Sequence, residues 1–162
     1  MSRKKQSVAR ENGGKVPDAA VIDALNTKVG FHLKRAFSVS NRLFESLFEK
    51  IGVAAGQYVV LKVIATYQGL SQKEVASATR IDQSSLVPII DNFEKKGWVS
   101  RAVSPRDRRT YLLYPTPAGL VALEAADELA REHDKLLMRN VPKGDRPGLI
   151  RLLRVLSDTE FP

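Results

Sequence analysis

The chain has 162 residues, of which 43% are hydrophobic and 27% are charged, and none is a cysteine. These values are typical of one globular domain, or of one domain with appended helices, and exclude wholesale disorder. The lack of cysteine excludes disulfides, thiol nucleophiles and cysteine-ligated metals, and the two histidines are too far apart in sequence to suggest a metal site. No apolar run approaches the about 18 residues of a membrane span and no secretion signal is found, so we expect a cytoplasmic protein with no membrane partner.

The charge is strongly positive, with 26 lysines and arginines against 18 acidic residues and a net charge of +8. Five basic residues and one acidic residue fall within residues 1–17, which we expect to form a basic flexible tail. An excess of positive charge favours polyanionic partners, above all nucleic acids, because binding releases their condensed counterions. Solubility alone is the alternative explanation of this charge.

Residues 18–51 place apolar side chains at steps of three and four, which is the period of a helix. The pattern predicts one long N-terminal helix, with Asp18 as its N-cap. Such a helix would be about 45–50 Å long, which is more than a small domain needs. We therefore expect its apolar face to pack against a second chain.

Three shorter helices are predicted next. The first is an apolar helix over residues 56–65. Ser71 and Glu74 have the spacing of a capping box at the start of the second. After a three-residue turn, Asp82 is the expected N-cap of a third helix over residues 83–96. Two short helices joined by a tight turn, with another helix before them, form a helix-turn-helix pattern.

The residues after this pattern favour strands. Residues 98–103 and 110–114 are rich in β-branched and aromatic side chains, and the sequence SPRDRR between them is turn-forming and carries three arginines. These features predict a β-hairpin with a basic tip. A helix-turn-helix followed by a hairpin is a winged helix-turn-helix, so residues 52–115 are predicted to be a DNA-binding lobe.

The C-terminal region is predicted to be helical again. Thr116 and Pro117 are typical of a helix start, the leucine pattern continues to about Asn140, and a last helix is predicted over residues 149–156. The fold class is therefore mainly α, and we expect residues 116–162 to form a two-fold dimerisation lobe with the N-terminal helix. The apolar residues expected at this interface are Ile22, Leu25, Val29, Leu136, Leu149, Leu152, Leu153 and Leu156.

The stretch KGWVSRAVSPRDRRTYLLYPTPAG, residues 96–119, carries an informative order of motifs. Gly97–Arg101, Asp107–Arg109 and Thr116–Gly119 resemble, in register, the wing signature of the MarR family of bacterial transcription regulators, and Gln57–Leu61 is similar to that family's Q-[FY]-x-[VL]-L helix. The resemblance covers nearly all of the chain except the N-terminal tail. It implies a homodimeric repressor that is released from double-stranded, pseudo-palindromic operator DNA by a small anionic or aromatic ligand.

Within such a fold, residues 83–96 would be the recognition helix, whose first turns reach base edges in the major groove. The short or polar residues there are Gln83, Ser84, Ser85, Val87 and Pro88. Glutamine can pair with adenine, serine can bond bases or phosphates, and the apolar pair can contact a thymine methyl group. The alternative for the serines is that they only cap and solvate the helix start. In such folds the preceding helix crosses the DNA backbone, so Ser71, Gln72 and Lys73 are expected to hold phosphate.

The predicted wing tip carries Arg106, Arg108 and Arg109, whose guanidinium groups are attracted to a narrow minor groove. The family resemblance implies that Asp107 orients an arginine through an ion pair and does not itself contact DNA. We expect Arg109 to be partly structural, because it adjoins a strand. The alternative is an ordinary solvated basic turn.

The resemblance also implies a ligand site between the dimerisation helices and the winged-helix lobe. Phe31, His32, Arg35 and Tyr58 are the candidate residues, with His32 and Arg35 as polar anchors for the carboxylate or phosphate of an effector such as an aromatic acid or its thioester. The alternative for His32 is a surface or interface histidine with an ordinary hydrogen-bond partner. No cofactor and no metal are expected.

Other functions fit the sequence less well. Hydrolase, zinc-protease, phosphate-loop and dinucleotide motifs are lacking, so we do not expect an enzyme. An RNA-binding module would share the basic charge, but the sequence offers no aromatic stacking platform for single-stranded RNA. A ligand-independent regulator and an activator are the alternatives among DNA-binding proteins.

Overall fold

The computed structural model describes residues 19–158, with side chains from residue 21 onwards. The predicted basic tail and the predicted N-cap Asp18 lie outside the described residues. The chain divides into two compact units, Met1–Phe37 and Ser38–Pro162. The elements are α1 (Ala19–Asn26), α2 (Val29–Phe48), a 3-10 turn (Glu49–Ile51), α3 (Ala55–Thr66), β1 (Leu70–Ser71), α4 (Gln72–Thr79), α5 (Gln83–Lys95), β2 (Val99–Val103), β3 (Tyr111–Pro115), α6 (Pro117–Leu137) and α7 (Arg146–Ser157).

The prediction of one continuous helix over residues 18–51 is wrong, because the helix is interrupted at Thr27 and Lys28. The Lys28 amide donates to the Leu25 carbonyl, 2.9 Å away, and the Thr27 hydroxyl donates to the Ala24 carbonyl, also 2.9 Å away. Threonine has a low helix propensity, in part because its hydroxyl offers the backbone an alternative partner. The local bonds at this turn therefore end α1 before α2 begins.

The predicted helix-turn-helix is present, with its caps in place. The Ser71 hydroxyl accepts from the Glu74 amide at 3.3 Å, and the Glu74 carboxylate accepts from the Ser71 amide at 2.7 Å. Asp82 caps α5 by accepting from the Ser85 amide at 2.9 Å. Gly97 follows α5 with a φ of +67°, a left-handed conformation that glycine adopts without steric cost.

The wing is an antiparallel hairpin of β2 and β3, in which Val99 lies opposite Pro115. A third strand, β1, pairs with the other edge of β3 and places Leu70 opposite Leu113. This strand was not predicted, because two residues are too few to show an alternating pattern. It ties the start of α4 to the wing.

The core of the winged-helix lobe lies between α3, α4, α5 and β3. Its side chains with almost no exposed surface are Val60, Leu61, Ile64, Val75, Leu86, Ile90, Phe93 and Leu113. Each such side chain stabilises the fold by about 1.5–3 kcal/mol relative to its exposed state. A second cluster is formed by Phe44, Phe48, Val53 and Ala126.

Two contacts fix the base of the wing. Arg101 of β2 forms ion pairs with Asp91 at 2.7 Å and with Glu94 at 2.5 Å, both on α5. On the other side, Gly119 of α6 packs so closely that a Cβ atom there would lie 2.0 Å from the Trp98 carbonyl oxygen. The wing is therefore held against both the helix before it and the helix after it.

The two C-terminal helices differ slightly from the prediction. α6 begins at Pro117 with Thr116 as its N-cap, as predicted, and ends at Leu137. α7 begins at Arg146 instead of residue 149, because Pro147 falls in the first turn, where proline is tolerated. No helix within residues 19–158 combines the length and the apolar character that crossing a membrane would require.

Candidate nucleic-acid interface

The first turn of α4 presents polar groups at the edge of the winged-helix lobe. Ser71 is the N-cap, Gln72 and Lys73 follow, and Lys73 is exposed. The Ser71 hydroxyl donates to the Glu74 carboxylate at 2.7 Å, and this hydrogen bond lowers the pKa of Glu74. The backbone amides at the helix start and the lysine ammonium are the groups here that suit a phosphate.

The start of α5 is organised by the carboxylate of Asp82. The Ser84 hydroxyl donates to Oδ1 at 2.5 Å, and the Ser85 hydroxyl donates to Oδ2 at 2.7 Å. These bonds, that of Ser84 first, lower the pKa of Asp82 to about 2. All three residues are nevertheless exposed. The serines thus take part in the cap and also lie on the surface expected to meet DNA.

The remaining recognition-helix candidates, Gln83, Val87 and Pro88, are exposed as well, and 43% of Val87 is accessible to solvent. Leu86 and Ile90 lie on the opposite side of α5 and are buried in the core. The helix continues through Pro88 to Lys95. One face of α5 is therefore free to contact a partner, while the other is fixed by packing.

At the wing tip, the expected ion pair between Asp107 and an arginine is not formed among the described residues. The Asp107 carboxylate instead accepts from the Arg109 amide and from the Thr110 hydroxyl, each at 2.9 Å, and these bonds lower its pKa. The turn makes this possible because a short carboxylate readily reaches the amide two residues ahead. Arg106, Arg108 and Arg109 are exposed, and none of their guanidinium groups pairs with an acid in the described part of the chain.

A groove of about 320 Å³ brings the three elements together. It is lined by Lys73 of α4, by Gln83 and Val87 of α5, and by Arg109 of the wing. A second groove of about 660 Å³ lies between α4 and the wing and is lined by Lys73 and Arg106. Candidates from separate parts of the sequence therefore share the smaller groove. Ser84, Ser85, Pro88 and Arg108 are not among the residues that line it.

Two residues of this region were not predicted as functional. Tyr111, half exposed, lines the smaller groove beside Arg109. Its position as the first residue of β3, next to the basic turn, is the signal that could have found it. Arg101 fixes the wing through its two carboxylate partners, Asp91 and Glu94, and was noted only as part of a motif.

The candidate ligand residues of α2 contact one another. The Arg35 guanidinium lies 5.5 Å from the centre of the Phe31 ring, which is a cation–π distance. The His32 ring stands edge-on to Phe31 at 5.7 Å, and its Nε2 donates to the Asn26 carbonyl at 2.8 Å. The alternative explanation of His32, an ordinary hydrogen-bonded histidine, agrees with this contact.

Tyr58, the fourth candidate, belongs to the unit Ser38–Pro162 and has partners of its own. Its hydroxyl donates to Asp127 at 2.9 Å, and Lys62 binds the same carboxylate at 2.6 Å. Burial and the hydrogen bond to Asp127 raise the pKa of Tyr58 to about 12. A ligand would have to compete with Asp127 for this hydroxyl.

A family model and a relative of known sequence both identify this chain as similar to transcription regulators. The model of the MarR family matches residues 53–111. The chain is 37% identical, over 138 residues, to a protein of Thauera aromatica whose name links it to transcriptional regulation of the hcr operon, and the match covers 83% of each protein.

Solved structures resemble most of the chain, and two of them are informative. The repressor CouR, solved bound to a 23-mer DNA duplex, has a TM-score of 0.80 and 27% identity, with 84% of this chain and 96% of CouR covered. BpsR of Bordetella bronchiseptica, whose DNA binding is regulated by 6-hydroxynicotinic acid, has a TM-score of 0.78 and 26% identity, with 82% of this chain and 95% of BpsR covered. The likeness therefore extends well beyond the wing motif.

Proposed function

The chain belongs to the MarR family of DNA-binding transcription regulators, and from this we propose that it is a homodimeric repressor of a pseudo-palindromic operator, released by a small aromatic acid or its thioester. The family and the relatives act by binding DNA, and we propose no catalytic role for this chain. Such a repressor works in the bacterial cytoplasm, at the nucleoid when it is bound to DNA.

We assign the parts of the chain accordingly. Residues 52–115 bind DNA, and residues 18–51 and 116–162 dimerise. The observation that carries the DNA-binding role is the shared groove in which α4, the exposed face of α5 and Arg109 meet. A recognition helix of this kind enters the major groove, while arginines on a wing reach the neighbouring minor groove.

Selection from a pool of random duplexes tests the proposed operator. A two-fold dimer presents two recognition helices about 34–36 Å apart, so the selected sequences should contain two inverted half-sites about one helical turn apart. Footprinting on a selected duplex should protect both half-sites. A single asymmetric half-site, or binding to single-stranded RNA with equal affinity, would contradict the proposal.

Dimerisation is supported by exposed apolar side chains on the helices assigned to it. Ile22, Leu25 and Val29 are exposed in one unit, and Leu152, Leu153 and Leu156 are exposed on α7 in the other. Leu152, Leu153 and Leu156 share one face of α7, because they are spaced by three and four residues. An exposed apolar face of this kind favours a partner, and we propose a second copy of the same chain in a two-fold interface.

Sedimentation at micromolar concentration should therefore give twice the chain mass of 18.0 kDa. Leu152→Asp should shift the protein towards the monomer, because it places a charge in the apolar interface. Val103→Asp is the matched control, because Val103 and Leu152 are both 53% exposed but Val103 lies on the wing. If Leu152→Asp and Val103→Asp formed equally stable dimers, α7 would not be part of the dimer interface.

The ligand proposal is supported by the arrangement of Phe31 and Arg35, which together offer an aromatic face and a cation to an aromatic carboxylate. BpsR, regulated by 6-hydroxynicotinic acid, is a relative that responds to such a molecule. Benzoate, 6-hydroxynicotinate and benzoyl-coenzyme A are suitable probes, read by thermal shift and by release from a selected duplex.

A ligand that binds the folded protein should raise Tm, since it stabilises the native state by mass action. Arg35→Gln should abolish this shift and leave DNA binding intact, and Lys34→Gln is the neighbouring control on α2. A Tm shift that persists in the Arg35 variant would place the carboxylate elsewhere. No shift with any of the three probes would count against an aromatic-acid effector.

A further inference from the structure

At the start of α5, two hydroxyl donors share one acceptor group, the Asp82 carboxylate. A serine hydroxyl has one proton to donate and two lone pairs that accept. At Ser84 and Ser85 both protons are directed at the Asp82 carboxylate, at 2.5 and 2.7 Å. The surface formed by these three exposed side chains therefore offers acceptors and no free hydroxyl donor.

We propose that Asp82 is a specificity-determining residue, because it fixes Ser84 and Ser85 as acceptors that recognise the amino groups of adenine or cytosine. The inference rests on the proposed function, in which the first turns of α5 enter the major groove. There, adenine N6 and cytosine N4 are the exposed donors, whereas guanine and thymine present the acceptors O6, N7 and O4. Serines held in this way favour A or C over G or T on the strand that they face.

The same arrangement decides between bases and phosphates as partners of the serines. A phosphate oxygen only accepts, so a serine must give up its bond to Asp82 to donate to it. The carboxylate itself would be repelled by a nearby phosphate. A pKa of about 2 keeps Asp82 ionised, and hence an acceptor, at neutral pH. The phosphate contacts of this surface are thus left to α4 and the wing.

Asp82→Asn reverses the donor arrangement with little effect on the helix start, because asparagine is as good an N-cap as aspartate. Its amide oxygen can still accept from the Ser85 amide, while its amino group donates to a serine oxygen and releases a hydroxyl proton. The variant should consequently admit G or T at positions where the wild type requires A or C.

The experiment is selection from random duplexes with four proteins: wild type, Asp82→Asn, Ser84→Ala combined with Ser85→Ala, and Glu74→Gln. The last variant removes one negative charge from the capping box of α4, where glutamine is also suited, and leaves α5 untouched. We expect relaxed preference at the same positions for the Asp82 variant and the serine variant. Glu74→Gln should change affinity for all sequences alike and keep the wild-type motif.

Deleting the amino group from one base provides the quantitative test. Purine in place of a selected adenine should weaken wild-type binding about three- to tenfold, the value of one hydrogen bond, and should cost the serine double variant nothing. Circular dichroism and sedimentation establish that each variant is a folded dimer.

The outcomes separate the inference from the function on which it rests. If the wild type selects a motif and the Asp82 and serine variants select the same motif with the same preferences, the inference is overturned and the repressor function stands. If the wild type selects no motif, sequence-specific recognition fails and the inference fails with it. The inference is supported if the Asp82 and serine variants lose base preference only at the positions that face α5, while Glu74→Gln keeps the wild-type preference there.

Discussion

The start of α5 and the tip of the wing each contain an aspartate that organises its neighbours, with opposite results. At α5, Asp82 takes up the hydroxyl protons of two serines and leaves a surface of acceptors. At the wing, Asp107 bonds a backbone amide and Thr110, so three arginines nearby keep their guanidinium groups free of acidic partners in the described chain. The first arrangement suits selection among bases, and the second suits attraction to any duplex.

Under the proposed function, this difference would allow a moderately basic lobe to bind DNA with selectivity. Free arginines contribute affinity through counterion release, which does not depend on sequence. A surface of fixed acceptors contributes little attraction, but it penalises a wrong base, whose own acceptors would face it unpaired. We therefore expect the two regions to provide different kinds of binding energy, each of which can be changed separately.

The largest effect is expected from the base of the wing. Gly119→Ala places a Cβ 2.0 Å from the Trp98 carbonyl oxygen, a backbone atom that cannot move aside as a side chain could. Overpacking of this severity should lower the free energy of unfolding by about 3 kcal/mol. Urea unfolding measures the loss.

Gly56→Ala is the control for that measurement. Gly56 lies in the first turn of α3, and a Cβ there meets nothing within 4 Å. Alanine has the higher helix propensity, so this variant should be slightly more stable than the wild type. If Gly119→Ala were as stable as Gly56→Ala, Gly119 could not lie as close to the Trp98 carbonyl as the structure shows.

The next largest effects distinguish the start of α5 from the wing by their dependence on DNA sequence and on salt. Gln83→Ala should cost about 1–3 kcal/mol on a selected duplex and spare a scrambled one, because it removes a contact to a base edge. Arg108→Ala should weaken binding to both duplexes and reduce the slope of log K against log salt by about one. Salt titrations of both variants on both duplexes give these quantities.

Arg131→Ala serves as the charge control in the same titrations. Arg131 is exposed on α6, outside the candidate DNA interface, and pairs only weakly with Glu128 at 3.5 Å. Its removal should leave the salt slope near the wild-type value. An Arg108 variant that behaved like the Arg131 variant on both duplexes would show that the wing does not contact DNA.

How much of this could be predicted from sequence depends on how local each feature is. The caps at Ser71, Asp82 and Thr116 were correct, because a cap is encoded within four residues. The strand β1 was missed, because it exists only through pairing with a strand about forty residues later. The break at Thr27 was missed, because periodicity continues across a turn of a single residue pair.

In the candidate interface, too, some features could be predicted from the sequence and others could not. Exposure of the recognition-helix residues follows from the apolar period of α5, and so could be predicted. The partner of Asp107 could not, because a carboxylate in an arginine-rich turn has several donors within reach and the backbone conformation selects among them. The commitment of the serine hydroxyls to Asp82 likewise depends on side-chain rotamers, about which the sequence pattern says nothing.

The smallest effect concerns the charge of Asp82 itself. Because its pKa falls from 3.8 to about 2 in the folded protein, the ionised carboxylate contributes stability above its unfolded pKa, and this contribution is lost as the pH falls through the folded pKa. The wild type should therefore have a higher Tm than Asp82→Asn at pH 5, with a difference that shrinks between about pH 4 and pH 2. The double variant Ser84→Ala, Ser85→Ala should show the same pH-dependent Tm difference from the wild type as Asp82→Asn, since it lacks the hydroxyl donors that lower the pKa of Asp82.

Thermal melts of the three proteins between pH 2 and pH 6 measure these differences. Asp107→Asn extends the measurement to the wing, where the pKa of Asp107 is lowered in the same direction. A Tm difference between wild type and Asp82→Asn that stayed constant over this range would mean that the serines do not stabilise the charged carboxylate. The start of α5 would then not be a surface of fixed acceptors, and it would no longer differ from the wing in this respect.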